Sequence, residues 1–504
     1  LLATLPLFSA QTPKAAAGAL AGGLVCAGVG VLAMVSIPVT PWIAEAFGRN
    51  SATWMHEAAP PMVNDDDMHL IFAQRYLGLT LRLEGENVEL TEADRARATP
   101  GQAAWVEDHH KQLASAMKRL AAGGPALPLL LANYYDNPKE RPDRFCTFVG
   151  EGMNVSVAVT YVPDASDPNN PHLYRYFHGA GKVQASSDAA DMRLQRSLGH
   201  LTALVHDANP ANTPAENVLV VACGAGVTAG SFVPYDTVKS ITICDIEPMV
   251  PARVAPLFAK ENYNVVADPR TTVVLDDGRH FVRTTKEKFD IITSDPIDPW
   301  VKGCAALNTV EYYEMCKEHL KPGGVMALWI PLYENNEDSA KSIIATFFKV
   351  FPNGMLWSND ITSGEGYDAV LFGTTDACTI NVDAVQAYLD SHPKVKDSLT
   401  EVGFGKSDGL VAVDLLSTFA ADAEHVKPWT NGAELNEDMN LRLQYLAGLW
   451  LNKQMAPEIL RNILKCYEFP NDIFQGSPAT IRALKEHLIA KNRIPASFRS
   501  GPTQ

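Results

Sequence analysis

The sequence predicts the α/β class: a doubly wound, mostly parallel sheet, preceded by a small antiparallel β domain and an N-terminal transmembrane helix. Three observations carry this. Five short apolar segments, NVLVVACGAG, SITICDIEP, TTVVLDDGR, FDIITSDP and GGVMALWIP, follow one another from residue 217 to 331 with enough chain between them for helices or crossovers, the pattern of strands buried on both faces of a parallel sheet. Upstream, MNVSVAVTYV (153–162) and HLYRYFHGAGKVQAS (172–186) alternate apolar and polar residues around a turn at Gly179–Gly181, the period of a half-buried antiparallel sheet. Ahead of both, residues 15–44 carry no charge, and about twenty such residues cross a bilayer.

The membrane segment is rich in small residues (Gly18, Gly22, Gly23, Gly28, Gly30), which let membrane helices pack closely, and Pro38 and Pro41 mark its far end. Because LLATLPLF resembles the tail of an earlier apolar segment, residues 1–48 are expected to be a fragment of a longer membrane domain. Lys14 and Arg49, one on each side, leave its orientation undecided. Residues 49–143 are expected as a mixed helical linker, 144–187 as the β domain, 188–378 as the parallel-sheet domain opening on a helix at about 188–206, and 379–504 as a C-terminal helical region. In the linker, His109 and His110 are adjacent and so point in different directions on a helix; a solvated face is expected, not a metal site.

With 504 residues, 46% apolar and 20% charged, the chain is folded and too long for one core. A net charge of −16 without a Lys/Arg run excludes a nucleic-acid partner and favours a cationic or small neutral ligand. Cysteines 26, 146, 223, 244, 304, 316, 378 and 466 form no CxxC pair and no cluster with histidine at metal spacing, so reduced thiols and no metal are expected. Cys223 and Cys244 are read as small buried residues inside strands.

The predicted parallel strands end in polar groups. VLVVACGAGVTAG sets Gly224 and Gly226 straight after the first, where a missing side chain lets backbone approach a ligand. The second ends in CDIE, with Asp245 about twenty residues past the glycines, where an acid accepts from both hydroxyls of a ribose. The third ends in LDDGRHF, bringing Asp277 and Gly278 to the same edge, suited to an adenine amino group. The fourth ends in SDPIDPW, with Asp295 and Asp298 each followed by a proline that removes a donor and holds φ, aiming both acids outward. Open α/β sheets bind ligands at the carboxyl ends of their strands, so these groups in register indicate an adenosine site. The absence of GxGxxG favours S-adenosyl chemistry over a dinucleotide.

Other residues are read as structural. Ser231 and Ser294 sit in no G-x-S-x-G elbow and are expected to hydrogen-bond turns or helix starts. Trp329 is expected to pack, whereas Trp300, beside the acids, divides between packing and stacking on a substrate. Tyr312 and Tyr313 are expected at core and edge, and Asn436 and Asp438 to cap or dock a helix on the sheet domain.

The landmarks GAGKVQAS, LQRSLGHL, VLVVACGAG, CDIEP, DDGR, SDPIDPW, EYYEMCKEHLKPGG and LWIPLY stand in order over about residues 149–375. This stretch resembles the polyamine aminopropyltransferases, the spermidine synthase family, and particularly bacterial members fused to membrane helices. The resemblance implies a Rossmann-like, S-adenosylmethionine-dependent methyltransferase fold under a β-stranded N-terminal domain. It implies transfer of the aminopropyl group of decarboxylated S-adenosylmethionine to a diamine such as putrescine, giving spermidine and methylthioadenosine without a metal. Carried over by motif, Asp245 would hold the ribose, Asp277 with Gly278 the adenine, and Gly224 and Gly226 the cofactor loop. Gln184 and Gln195 would border the pocket, Asp295 would be the general base, and Asp298 would partner an ammonium. The chain departs from the family at Ala225, where synthases carry an acid for the donor's amine, and at Leu194-Gln195-Arg196, where they carry a Tyr-His/Gln-Glu triplet. Arg196 is expected as a surface or salt-bridged residue.

A primary amine is protonated at neutral pH, so a carboxylate must take its proton before it attacks; the sulfonium already carries the activation. Two rivals stand beside this reading: an S-adenosylmethionine-dependent methyltransferase on the same fold, and a non-catalytic adenosyl-ligand sensor attached to a membrane transporter. Since the donor is made in the cytosol, the expected location is a cell membrane, with the catalytic domain on its cytoplasmic face. A homodimer is one open assembly.

Overall fold

The computed structural model describes residues 63–122, 145–295, 298–360, 366–447 and 455–493. The predicted membrane segment, residues 1–48, lies outside them, and so do Pro296 and Ile297 between the two acids of SDPIDPW. Among the described residues no helix is long and apolar enough to cross a membrane.

The first described unit packs helices Asp65–Ile71, Pro100–Asp108 and His110–Ala121 with a hairpin of β1 (Leu81–Glu84) and β2 (Asn87–Leu90). His109 departs from the solvated face expected for it. The helix breaks at this residue, so His109 turns inward while His110 stays exposed. Its ring stacks 4.3 Å from Trp105 and meets His69 at 5.2 Å, and burial lowers its pKa to about 3, holding it neutral.

An antiparallel sheet follows in the order β3 (Phe145–Glu151), β4 (Ser156–Asp164), β5 (His172–Gly179), β6 (Lys182–Ser186). Ala180 and Gly181 join β5 to β6 with φ of 53° and 74°, the paired positive dihedrals of a tight turn matched to strand twist. Helix Ala189–Ala208, capped by the Asp188 carboxylate on the Ala190 amide, leads into the main sheet.

That sheet has eight strands. The five predicted parallel strands are β7 (Asn217–Val221), β8 (Ser240–Asp245), β9 (Thr271–Leu275), β10 (Phe289–Ser294) and β11 (Leu320–Pro331), arranged β9-β8-β7-β10-β11. On the β11 side, β12 (Met355–Asp360) and β13 (Gly366–Thr374) add antiparallel pairings. Beyond a short β14 (Ile380–Asn381), β15 (Phe419–Asp422) closes the edge by pairing with β12; β14 pairs with β16 (Phe474–Gln475). The region read as helical thus also supplies three strands, β14, β15 and β16, because segments of two to four residues carry no periodicity that separates strand from helix. Phe419 anchors β15 edge-on against Trp357, with ring centroids 5.4 Å apart.

Asn436 docks the C-terminal region as expected: its amide donates to the carbonyls of Ala305 (2.8 Å) and Asn308 (2.9 Å), while Asp438 pairs with Arg279. Tyr312 and Tyr313 are both core, neither at an edge. Cys244 lies inside β8, whereas Cys223 lies in the turn after β7. All the cysteines among the described residues are free.

In the turn after β7, Ala222, Gly224 and Gly226 have φ of 75°, 52° and 80°. Asn262 locks it, donating to the carbonyls of Ala225 and Ala255, both at 2.8 Å. Asn262→Leu keeps the branching of the side chain and leaves two buried acceptors without this donor, so a loss of about 1–3 kcal/mol is expected. Urea denaturation should show a lower midpoint with an unchanged slope.

Candidate active site

Strand order reverses between β7 and β10, so the loops leaving their carboxyl ends diverge and open a crevice. A cavity of about 700 Å³ occupies it, within the range of small-molecule sites. Its floor is the carboxyl edge of the sheet, and its cover is the β5–β6 hairpin with the first turns of helix Ala189–Ala208.

Gly224, Asp245, Asp277, Gly278, Asp295, Gln184 and Gln195 all line this one cavity. A side chain built on Gly224 meets nothing within 4 Å, so backbone there is open to a ligand. At Gly278 a Cβ would stand 2.6 Å from Val221 Cγ1; this glycine permits close helix–strand packing. Asp245 accepts the amides of Cys223 (2.7 Å) and Glu247 (2.8 Å), which ties the glycine turn to β8. Burial, the largest influence, raises its pKa. Asp277 caps helix Gly278–Thr284 through the His280 amide at 2.8 Å. The amides of Gln184 and Gln195 donate to the carbonyls of Gly179 (2.9 Å) and Asp191 (3.1 Å), holding hairpin and helix start in place.

Two predicted residues are not on the cavity wall. Gly226 faces Asn262, whose Nδ2 would lie 2.9 Å from a Cβ there; the turn needs its positive φ and its small size for packing. Asp298 is 1% exposed and bonded to the Lys182 ammonium at 2.7 Å. The lysine lines the cavity and covers the acid. Of the departures from the family pattern, Leu194 and Gln195 line the cavity, whereas Ala225 and Arg196 do not. Ala225 is buried in the turn, and Arg196 is held by the Ser398 carbonyl (2.7 Å) and Glu401 (2.6 Å), as a salt-bridged arginine. Ser231 donates to the Val227 carbonyl at 2.9 Å, a local helix bond.

Asp295 joins the sheet through its amide, which donates to the Val221 carbonyl at 3.2 Å, and its carboxylate receives a long bond from Thr228 Oγ1 at 3.4 Å. Burial pushes its pKa up to about 7, with Asp191 and Asp298 adding to the rise. Two further acids at this end, Asp191 and Asp368, carry no signal that the sequence analysis used. Asp191 is pushed by burial to about 6, and Asp368, which accepts from Trp329 Nε1 at 3.3 Å, to about 8. Trp329, read as packing, is therefore also cavity wall. Lys182, Tyr333 and Glu334 complete this end. An acid inside the apolar run YDAVLF was the available signal for Asp368, but its place depends on pairing opposite Pro331 across β11 and β13. Among the described residues no group of three or more His, Cys, Asp or Glu side chains is arranged to hold a metal.

The spermine/spermidine synthase domain family matches residues 192–358. The polyamine aminopropyltransferase of Pseudomonas syringae pv. tomato is 31% identical over 157 residues, 31% of this chain and 52% of that protein. The enzyme of the same name from Clostridium perfringens is 28% identical over 205 residues, 40% of this chain and 71% of its own. The chain thus spans about half the length of the first curated relatives it matches. The crystal structure of spermidine synthase from Thermotoga maritima aligns at 20% identity over 46% of this chain and 73% of that one, with a TM-score of 0.35.

The raised pKa of Asp368 has a measurable consequence. The folded chain keeps its proton up to about pH 8, whereas an unfolded aspartate loses it near 3.8, so folding is increasingly disfavoured as pH rises through that window. Asp368→Asn removes the ionisation. Its melting temperature should match the wild type near pH 4 and exceed it by a widening margin, several degrees, toward pH 8; a margin that does not depend on pH contradicts this.

Proposed function

We propose, for a chain whose residues 192–358 match the spermine/spermidine synthase domain family, that the cavity transfers the aminopropyl group of decarboxylated S-adenosylmethionine to an acceptor amine, releasing methylthioadenosine. The observation that supports this most is Asp295, an acid with its pKa lifted to about 7, on the same cavity wall as Gly224, Asp245 and Asp277.

In this reading Gly224 gives the adenosyl group its closest backbone approach, Asp245 takes the ribose hydroxyls and Asp277 the adenine amino group. Gln184 and Gln195 border the reacting groups. Asp295 accepts a proton from the acceptor ammonium and leaves a neutral amine aimed at the donor. The amine lone pair forms a C–N bond to the methylene carbon beside sulfur; the C–S bond breaks and its electrons stay on sulfur, leaving an uncharged thioether. Alignment and exclusion of water supply the rest. An arriving ammonium lowers the pKa of Asp295, so the substrate itself ionises its base.

The charge of the wall favours the decarboxylated donor over the methyl donor. Asp191, Asp245, Glu247, Asp277, Asp295, Glu334 and Asp368 line the cavity against only Lys182, Arg279 and Lys302, and both Lys182 and Arg279 are already paired with carboxylates. A methionine carboxylate placed there would add a negative charge beside acids whose pKa values are already raised, and would raise them further. Attachment through the uncharged segment 15–44, with the cavity on the cytoplasmic side where the donor is made, completes the proposal.

The test is product identity. With each adenosyl donor and a mixed amine pool, mass spectrometry should find methylthioadenosine; S-adenosylhomocysteine indicates a methyltransferase, and binding without turnover a sensor. Asp295→Asn should lower kcat by about 10²–10⁴ while methylthioadenosine binding persists. In the wild type kcat/KM should rise with pH through about 7 and then level, as the carboxylate form of Asp295 accumulates.

A further inference from the structure

Lys182 is the first residue of β6, delivered by the tight Ala180–Gly181 turn and paired in register with Gly179. Its ammonium donates to Asp298 at 2.7 Å and lies 3.4 Å from the Glu334 carboxylate. Two aromatic faces flank it, Tyr333 at 4.5 Å and Trp300 at 5.1 Å. Carboxylates and aromatic faces converging on one point are what recognises an alkylammonium. Here the alkylammonium belongs to the protein. Lys182 lines the cavity, whereas Asp298 behind it does not.

A second group of acids lies on the same cavity. Asp191, Asp295 and Asp368 are close enough that Asp191 raises the pKa of both Asp295 and Asp368, and Asp295 that of Asp368. Among the described residues no lysine or arginine is ion-paired with this group; the Lys182 ammonium reaches it only as a nearby charge that lowers the pKa of Asp191, and one incoming ammonium relieves its mutual repulsion. The cavity therefore has two cation subsites of different status: one is filled from within the chain, the other is left for a ligand.

Resting on the aminopropyl-transfer reading, we propose that Lys182 is an internal ammonium that permanently fills one of the two cation subsites, so that the acceptor selected is an amine with a single ammonium, seated on Asp191, Asp295 and Asp368, and not a diamine. A diamine's second ammonium meets a like charge where it needs a carboxylate. The hairpin keeps the lysine there, since the short turn and the β5–β6 register leave its Cα no freedom to withdraw.

The experiment compares n-butylamine with putrescine, equal in carbon chain and differing by one ammonium, on the full chain by calorimetry, with and without saturating methylthioadenosine. The wild type should bind n-butylamine about threefold or more tightly than putrescine, Lys182→Met should bind putrescine about tenfold or more tightly than n-butylamine, and Lys182→Arg, which keeps the cation, should keep the wild-type ratio. A wild type that binds putrescine as tightly as n-butylamine or more tightly overturns the proposal, as does a folded Lys182→Met whose ratio matches wild type, the result for a merely structural salt bridge. If Lys182→Met fails to fold, the wild-type ratio alone decides. Failure of the transfer reading looks different: no nucleoside product from any donor and amine, whatever the binding ratio.

Discussion

The parallel pairing of β7 with β10, Val218 against Ile291 through Val221 against Ser294, is the constraint on which the site depends. It sets the first and fourth strands of the parallel series side by side, so that the chain leaving each must turn to opposite sides of the sheet. One exit is the glycine turn and the other is Asp295, whose amide continues the ladder by one more bond to Val221. The separation of the open glycine-turn backbone from the Asp295 carboxylate follows from strand order. The small antiparallel sheet then closes the crevice, inserting the β5–β6 hairpin with Lys182 and Gln184.

Electrostatics at the closed end follow from that enclosure. Carboxylates taken out of water resist ionisation, and the high pKa values of Asp191, Asp295 and Asp368 share this first cause. Such a group destabilises the folded chain at neutral pH and is relieved by a cation. At one position the chain supplies that cation itself, in Lys182 against Asp298 and Glu334. At the other, in the proposed reading, a ligand ammonium would supply the relief and so couple amine binding to ionisation of Asp295.

What was legible in the sequence was what local pattern determines. Four of the five parallel strands stood out because burial on both faces makes each a nearly continuous apolar run, the partly exposed edge strand β9 because its run TTVVL is largely β-branched, and Asp245, Asp277 and Asp295 because each stands at the end of such a run. Residues whose place depends on distant pairing were misread or missed. Asp298 looks outward in SDPIDPW but is capped by a lysine 116 positions earlier. Asp368 reaches the cavity only through the antiparallel return of β13 beside β11. Gly226 resembles a ligand-facing glycine until Asn262 is seen filling the space beside it. His109 was assigned to a continuous helix that in fact breaks at that residue.

The central claim is that an adenosyl sulfur and an amine meet above Asp295. A crystal structure of the chain soaked with 5′-methylthioadenosine tests it most directly. The account requires ribose hydroxyls on Asp245, the base beside Asp277, backbone of Gly224 against the nucleoside, and sulfur turned toward Asp295. A nucleoside bound elsewhere, or one in the cavity with its sulfur turned away from that carboxylate, contradicts it.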